Sequence, residues 1–380
     1  MIYLDYNGST PMDPQVADLV RSVEAWFANP SAVQHYAGQA AAEAIEESRH
    51  RVAGFAGRDS REVIFTSGAS EAATIGIVGA MLFDPDRPNA IVSATEHEAI
   101  LQAAATGARL SRGEVRTVRV HETGEVDLEH LASILDETVS VCAVMAANNE
   151  TGVLNPIESV AHLTAEAGVL LLSDVTQLAG KADLGPAASG ADMLVFSSHK
   201  IYGPKGAGTL VVDRRLQRSL VPILPGGGQE RGLRGGTQNT ASIAGFGLAA
   251  EIAGKVWADD SGRLRALSDR LHNGLSSSIA GVSVNGNGAQ RLSNTLNLHF
   301  ANADSDAVMA SMPNVAVSSG SACHAAVTTQ SHVLLAMHLD EKVASESLRI
   351  SLGRPTTEAE VSTAIEAITS AVSRVRELTT

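Results

Sequence analysis

The sequence places one lysine in the setting that carbonyl chemistry requires. Lys200 closes the apolar stretch MLVFSSHK and is followed by glycines and a proline in IYGPKGAG. A lysine that forms a Schiff base must lie where the carboxyl end of a strand opens into a crevice. The alternative is a solvated lysine beside a glycine turn, and Lys200 taken alone favours that alternative. Other residues must therefore decide between the two.

Three further turns carry groups that complement such a lysine. Asp174 ends the apolar stretch LLLSD, where it could pair with the protonated ring nitrogen of pyridoxal phosphate or simply cap a helix. The turn SGAS at 67–70 offers N–H groups and hydroxyls for a phosphate, and Ser67 or Ser70 could cap the following helix. His97 falls at another such turn, although a lone histidine is more often structural. Four strand-to-helix turns with complementary groups favour a cofactor site.

A cysteine provides a candidate nucleophile. Cys323 lies in VSSGSACHAAVTTQS, a stretch of small and polar residues without apolar periodicity, which predicts an exposed and mobile thiol rather than a core residue. Its neighbour His324 could assist the thiolate, but we favour a plain loop residue. Cys142 lies within the apolar stretch SVCAVMA, and we expect it in the core.

An arginine on an apolar strand provides a candidate anion clamp. Arg349 lies in LRISL. A guanidinium binds a carboxylate through two parallel hydrogen bonds, which suits the recognition of an amino acid. A salt bridge at the edge of a sheet explains the same residue equally well.

The elements that position these residues follow a repeated pattern. Seven short apolar runs alternate with helix-length segments, which is typical of a covered, mainly parallel sheet in an α/β fold. The predicted strands are 62–67, 90–94, 115–120, 140–146, 170–174, 193–197 and 209–213. After the glycine-rich segment 225–240 and a long helix, the pattern becomes mixed, with a helix at 263–279. We expect a large domain over 12–254 and a smaller α+β domain formed by 1–11 and 255–380.

Composition restricts the function. The 380 residues carry a net charge of -14, which argues against a surface that holds nucleic acid. The two cysteines form no CxxC pair, so we expect neither a disulfide framework nor a metal site. GxxxxGK[ST] is absent, which removes a nucleotide-binding interpretation of the glycine turns. We see no signal peptide or transmembrane segment and expect a cytoplasmic protein.

With these residues assembled, the chain resembles the cysteine desulfurases among the fold-type I pyridoxal-phosphate enzymes, over nearly its full length. The matching stretches are IYLDYNGSTPMDP, NPSAVQHYAGQA, FTSGASE, EHEAIL, NNETG, SDVTQ, SSHKIYGPKGAG, GGGQERGLRGGTQN, SSGSAC and SLRISLGR. Their order and spacing together are highly specific. The spacing from Cys323 to Arg349 is similar to that of the NifS/IscS-like subgroup, and a DndA-like member of DNA phosphorothioation fits as well.

The resemblance implies pyridoxal 5'-phosphate as the cofactor. Lys200 would bind it covalently, His97 would stack on its ring, and Asp174 would pair with the ring nitrogen. Gln177 would bond the ring oxygen. The residues implied in phosphate binding are Ala69, Ser70, Ser197, His199 and, from the other subunit of a homodimer, Thr237.

The resemblance also implies the reaction. Asn149 and Arg349 would hold the carboxylate of free L-cysteine, and Lys200 would move its Cα proton. His97 would manage the proton of the substrate thiol. Cys323 would take the sulfur as a persulfide and pass it to an acceptor protein, leaving L-alanine.

Departures from the family pattern affect the expected sulfur acceptor more than the expected reaction. NGST replaces a segment that is usually rich in alanine and threonine, SEAAT carries alanines after its glutamate, and His324 follows the cysteine. The ending RVRELTT lacks the extended tail with which housekeeping members dock an iron–sulfur scaffold, which favours a specialised pathway. Thiolated tRNA, iron–sulfur assembly and DNA phosphorothioation all remain open.

Three other functions remain open at this point. A transaminase or β-elimination lyase would keep Lys200 and Asp174 without needing Cys323. A selenocysteine lyase would share the whole site. A non-catalytic scaffold on the same fold would bind no cofactor.

Overall fold

The computed structural model describes residues 1–319 and 330–379, so Cys323 and His324 lie outside the described residues. Within this part of the chain, twelve α-helices are numbered here in chain order. They are α1 (Pro14–Glu24), α2 (Tyr36–Ala56), α3 (Ala69–Met81), α4 (Glu98–Ser111), α5 (Leu128–Ile134), α6 (Ile157–Glu166), α7 (Gly185–Gly190), α8 (Thr240–Ser278), α9 (Ser305–Ala310), α10 (His332–Ala336), α11 (Glu341–Ser345) and α12 (Glu358–Thr379).

Twelve strands accompany them in the same part of the chain. They are β1 (Ile2–Tyr3), β2 (Val63–Thr66), β3 (Asn89–Ser93), β4 (Val115–Val118), β5 (Val139–Ala143), β6 (Leu170–Asp174), β7 (Met193–Ser197), β8 (Gly208–Val212), β9 (Val282–Val284), β10 (Thr295–Phe300), β11 (Val315–Ala316) and β12 (Ser347–Ser351).

The seven predicted strands form one sheet, in the order β2-β8-β7-β6-β5-β3-β4. Only β8 runs antiparallel to its neighbours. Buried residues of each inner strand alternate between two apolar clusters, one on each face: Leu171 and Leu194 pack on one side, Leu172 and Val195 on the other. Helices cover both faces, which explains why these strands are apolar throughout. The prediction of a mainly parallel seven-stranded α/β sheet is confirmed.

A second, antiparallel sheet has the order β12-β10-β9, and the short β1 pairs with β11. These strands pack with the end of α8 and with α12 on a separate apolar cluster that includes Leu4, Leu271 and Phe300. The N-terminal segment therefore packs on the C-terminal part of the chain, as expected.

The helix α8 differs from the expectation. Sequence patterning predicts two helices separated by a break, but residues 240–278 form one continuous helix. Its first half contributes Phe246 to the core beside the large sheet, and its second half contributes Leu271 to the core beside the small sheet. Polar residues between them such as Lys255 and Asp259 are exposed, and no proline interrupts the backbone there. The predicted domain boundary at 254/255 falls inside this helix, and the division into domains stays a prediction.

A membrane-spanning helix would need about 20 apolar residues in succession. Among the described helices, none combines that length with that apolarity.

Candidate functional site

A cleft of about 660 Å³ opens at the carboxyl ends of the strands of the large sheet. This is the edge at which open α/β sheets bind ligands. The side chains that the sequence singles out converge here from β2, β3, β5, β6, β7 and β12. The predicted site residues that line the cleft are Ala69, Ser70, His97, Asn149, Asp174, Gln177, Ser197, His199, Lys200 and Arg349.

One end of the cleft is the start of α3. Gly68 is the N-cap residue and provides no side-chain cap, so the expected capping by Ser67 or Ser70 is wrong. Glu71 instead accepts a hydrogen bond from the Ser67 N–H at 2.6 Å, turning back toward the strand. Gly208 lies so close to this turn that a Cβ there would come within 2.5 Å of the Gly68 Cα. The helix N-terminus is thus left facing the cleft, where an anion can bind.

Two side chains from the end of β7 face the same region. Ser197 ends the strand, and His199 lies in the single 3-10 turn that follows. The His199 Nδ1 atom lies 3.1 Å from the Ser9 hydroxyl. Burial, followed by repulsion from Lys200, lowers the pKa of His199 to about 4. His199 is therefore neutral at physiological pH in the absence of an anion.

Lys200 ends this 3-10 turn and is held by the N-terminal segment. Its Nζ atom donates to the carbonyl oxygen of Asn7 at 2.6 Å and to that of Gly8 at 2.7 Å. These acceptors belong to the NGST segment, to which sequence reasoning assigned no role. No sequence signal identifies a backbone carbonyl as a partner, since only the fold brings the first ten residues to the sheet.

Asp174 and Gln177 lie side by side in the middle of the cleft. The Asp174 carboxylate is buried, and its Oδ1 atom accepts the Thr176 N–H at 2.8 Å. The Gln177 amide nitrogen donates to the Asn7 carbonyl at 3.0 Å, and its oxygen accepts from Lys181. The turn role and the cofactor role of Asp174 are compatible, because a carboxylate has a second oxygen.

His97 lines the cleft and also caps a helix. It is the N-cap of α4, and its Nδ1 atom accepts the Ala99 N–H at 3.1 Å. Neutral His97 therefore carries its proton on Nε2. Burial is the main reason that the pKa of His97 is lowered, which favours this neutral form.

The carboxylate clamp predicted from the sequence is an ion pair in the structure. Arg349 donates from Nη2 to Asp5 Oδ1 at 2.7 Å and from Nη1 to the Asn149 carbonyl at 3.2 Å. The Nε atom of Arg349 is buried and has no hydrogen-bond partner among the described residues. The salt bridge is present, and the clamp stays a prediction with which the unpartnered Nε donor is compatible.

Glu96 is a buried residue next to His97, and no pattern in the sequence singled it out as a candidate site residue. Glu96 accepts the Met145 N–H at 2.6 Å through Oε1, while Oε2 is buried without a partner among the described residues. Burial raises the pKa of Glu96 well above its usual value. Burial thus favours the neutral form of this carboxyl group, which lies next to His97 in the chain.

Two predicted residues are not in the cleft. Thr237 is exposed and does not line it. Cys323 lies outside the described residues, but both flanks of its segment contact the site. Ser318 and Arg349 exchange backbone hydrogen bonds of 3.1 and 2.7 Å, and His332 Nε2 lies 2.9 Å from the Glu96 carbonyl.

Comparison with known proteins places this architecture in one family. The family model described as aminotransferase class-V matches residues 2–363. A protein named cysteine desulfurase from Frankia sp. (strain EuIK1) is 44% identical over 391 residues, covering 100% of this chain and 93% of its own length. The crystal structure of a NifS-like protein from Rickettsia africae is 30% identical with a TM-score of 0.87, covering 98% and 99% of the two chains. DndA from Streptomyces lividans is 33% identical with a TM-score of 0.78, covering 90% and 97%.

Proposed function

The chain belongs to the aminotransferase class-V family as a pyridoxal-phosphate-dependent cysteine desulfurase, and we propose that Lys200, His97 and Cys323 are its catalytic residues. The observation that carries this assignment is the convergence of Lys200, Asp174, His97 and Arg349 on one cleft. The reaction converts L-cysteine to L-alanine and transfers the sulfur to the protein. The following steps are argued from the residues of this chain.

The residues that line the cleft fit both the phosphate and the ring of pyridoxal phosphate. The uncapped start of α3, with Ala69 and Ser70, offers hydrogen-bond donors for a phosphate, and Ser197 and His199 face the same position. Asp174 would pair with the ring nitrogen, His97 would cover the ring, and Gln177 would bond the ring oxygen. Lys200 would bind the aldehyde carbon. When bound, the cofactor withdraws electrons from the substrate Cα and stabilises negative charge there.

Arg349 and Asn149 would orient the substrate. The Arg349 Nε donor is buried without a partner among the described residues, and a substrate carboxylate supplies an acceptor there. Asp5 already neutralises part of the arginine charge. We therefore expect the carboxylate to share Arg349 with Asp5, with the Asn149 side chain as the second contact.

Lys200 and His97 would handle the protons. With substrate bound, the Lys200 amine would take the Cα proton and return it later in the sequence. His97 is neutral with its proton on Nε2, so it can donate from that atom. To accept the thiol proton at Nε2, His97 must give up its bond to the Ala99 N–H, which makes this step sensitive to the helix cap.

Cys323 would complete the reaction as the nucleophile. Its thiolate attacks the substrate sulfur, an S–S bond forms, and the C–S bond of the substrate breaks. The electron pair of the C–S bond and a proton end on the carbon that becomes the methyl group of alanine, so no external oxidant is needed. Both described flanks of the segment support this role, since Ser318 bonds to Arg349 and His332 bonds to the Glu96 carbonyl.

The remaining parts of the proposal concern partners and location. We propose a homodimer in which the exposed Thr237 contributes to the phosphate site of the other subunit, and a sulfur-acceptor protein as the next carrier. The similarity to DndA makes DNA phosphorothioation the first pathway to test. We also propose a cytoplasmic location, and two domains over 12–254 and over 1–11 with 255–380.

An absorbance spectrum of the purified protein with added pyridoxal phosphate tests the cofactor assignment. We expect a near-ultraviolet to violet band that changes when L-cysteine is added, with alanine released. Lys200→Ala should lose the band and the turnover, whereas the surface variant Lys255→Ala should keep both. Turnover that persists in Lys200→Ala would overturn the assignment. Comparing L-cysteine with L-selenocysteine in the same assay gives the substrate preference.

A further inference from the structure

Asn7 is a buried residue that forms hydrogen bonds near Lys200 through both its backbone and its side chain. It is 1% exposed and lies in the NGST segment that departs from the usual family pattern. Its N–H donates to the Ser351 hydroxyl at 3.0 Å. Its carbonyl accepts from Lys200 at 2.6 Å and from Gln177 at 3.0 Å. The backbone of this single residue thus connects the small sheet, the amine and the ring-binding glutamine.

The side-chain amide of Asn7 has a defined orientation. Its Oδ1 atom accepts from Lys181 Nζ at 3.1 Å and from Asn294 at 3.2 Å. Its Nδ2 atom donates to the Asn149 carbonyl at 3.1 Å and to the Thr295 hydroxyl at 2.9 Å. Because the Asn294 amide nitrogen can only donate and the Asn149 carbonyl can only accept, a flipped Asn7 amide would lose these two bonds.

These bonds link the reactive amine to the substrate clamp. The Asn149 carbonyl that accepts from Asn7 Nδ2 also accepts from Arg349 Nη1 at 3.2 Å. The backbone carbonyl of the same residue, Asn7, accepts a hydrogen bond from Lys200 Nζ. Asn7 therefore connects the amine, which Gly8 also holds, directly to the clamp. Proton transfer is sensitive to displacements of about 1 Å, so such a link matters for the rate.

We propose that Asn7 is a positioning residue that aligns the Lys200 amine with the Asn149–Arg349 clamp for transfer of the substrate Cα proton. This proposal rests on the proposed function, because it assigns Lys200 as the base. It predicts an effect on the proton-transfer step that exceeds the effect of losing a buried polar side chain. Asn7 has no hydrogen bond to Arg349 itself among the described residues, so we expect carboxylate binding to change less than proton transfer.

Asn285 provides a matched control. It is also a buried asparagine, 5% exposed, and its Nδ2 atom donates to Asn297 at 2.7 Å and to Ser347 at 2.8 Å. These bonds lie within the small sheet, and Asn285 does not line the cleft. Asn285→Ala and Asn7→Ala should therefore lose comparable stability, while only Asn7→Ala should disturb the amine.

The experiment compares both variants, loaded with pyridoxal phosphate, in the turnover of L-cysteine with hydrogen or deuterium at Cα. For Asn7→Ala we expect kcat to fall about tenfold or more with KM changed less than threefold, and the isotope effect on kcat to increase. Asn285→Ala should keep kcat within about twofold and leave the isotope effect unchanged. A second readout is the rate at which apoprotein takes up pyridoxal phosphate, which should fall for Asn7→Ala alone.

Thr295→Val is the second variant in case Asn7→Ala does not fold. It removes one acceptor of the Asn7 amide with little change of shape, and we expect a smaller change in the same direction. The proposal would be overturned if Asn7→Ala and Asn285→Ala had equal kcat values and equal isotope effects. It would also be overturned if Thr295→Val matched the unchanged protein in both quantities. Those results would leave the proposed function intact, which fails only if Lys200→Ala retains turnover.

Discussion

Asp5 and Arg349 form an ion pair of 2.7 Å at the rim of the cleft, joining the fifth residue of the chain to the last strand of the small sheet. Arg349 is 5% exposed, so its charge needs a partner before any substrate arrives. Gly8 makes room for this arrangement, because a Cβ there would lie 2.4 Å from Asp5 Oδ2. In the proposed clamp, an incoming carboxylate would therefore meet an arginine that is already partly neutralised.

Asp5→Asn separates substrate binding from protein stability. The substitution removes a negative charge beside the incoming carboxylate, so we expect KM for L-cysteine to fall, about threefold or more. It also leaves Arg349 less well paired in the free protein, which should lower the free energy of unfolding by about 1–3 kcal/mol. Steady-state kinetics and thermal unfolding check the two effects. An unchanged or higher KM would show that Asp5 does not compete with the substrate.

His97→Asn separates the proposed catalytic role of this residue from its role as a helix cap. Asparagine is a good N-cap residue, so the substitution should preserve the bond to the Ala99 N–H and keep stability within about 0.5 kcal/mol. Activity should nevertheless fall about 100-fold, because the ring and the Nε2 proton are lost. His97→Ala is the comparison, with an additional stability loss of about 1 kcal/mol. If His97→Asn keeps full activity, the histidine is only a cap.

The apoprotein should lose stability in mild acid because of His199 and His97. Burial lowers the pKa of both, that of His199 to about 4, whereas both titrate near 6.5 in the unfolded chain. As the pH falls from 6.5 toward 4, the unfolded chain binds protons that the folded chain does not, so the free energy of unfolding decreases. His199 should contribute about 1–2 kcal/mol, since it retains partial exposure to solvent.

Urea unfolding of apoprotein at pH 7.5, 6 and 5 measures this dependence. His199→Gln should flatten the curve, and the exposed His162→Gln should leave it unchanged. A curve for His199→Gln that is as steep as that of the unchanged protein would assign the acid sensitivity to other groups.

Sequence reasoning predicted the elements that have strong local patterns. The runs that became β6 and β7 have the predicted ends, because buried parallel strands are apolar at every position. Lys200 and Asp174 were found since strand ends with polar residues are conspicuous. The single helix α8 was not predicted, because its exposed polar middle resembles a loop in composition.

The partners of these residues could not be predicted from local patterns. Asn7 and Asp5 reach the cleft only because the first residues pair with the C-terminal part of the chain, and such pairing leaves no periodic signal. The cap on α3 was misassigned because Ser67 and Ser70 have good capping chemistry. In the structure Glu71 instead accepts a hydrogen bond from the Ser67 N–H, and the start of α3 has no side-chain cap. The uncapped start is what an anion site requires.

The most direct test of the account is a single turnover of holoenzyme with substoichiometric L-cysteine, followed by mass analysis of its peptides without reductant. The account predicts one additional sulfur atom on the peptide that contains Cys323 and none on the peptide that contains the buried Cys142, in an amount that matches the alanine formed. Cys323→Ser should retain the spectral response to cysteine. It should form no persulfide on this peptide, and it should form alanine more slowly than the unchanged protein. Alanine formation at an unchanged rate in Cys323→Ser would contradict the account.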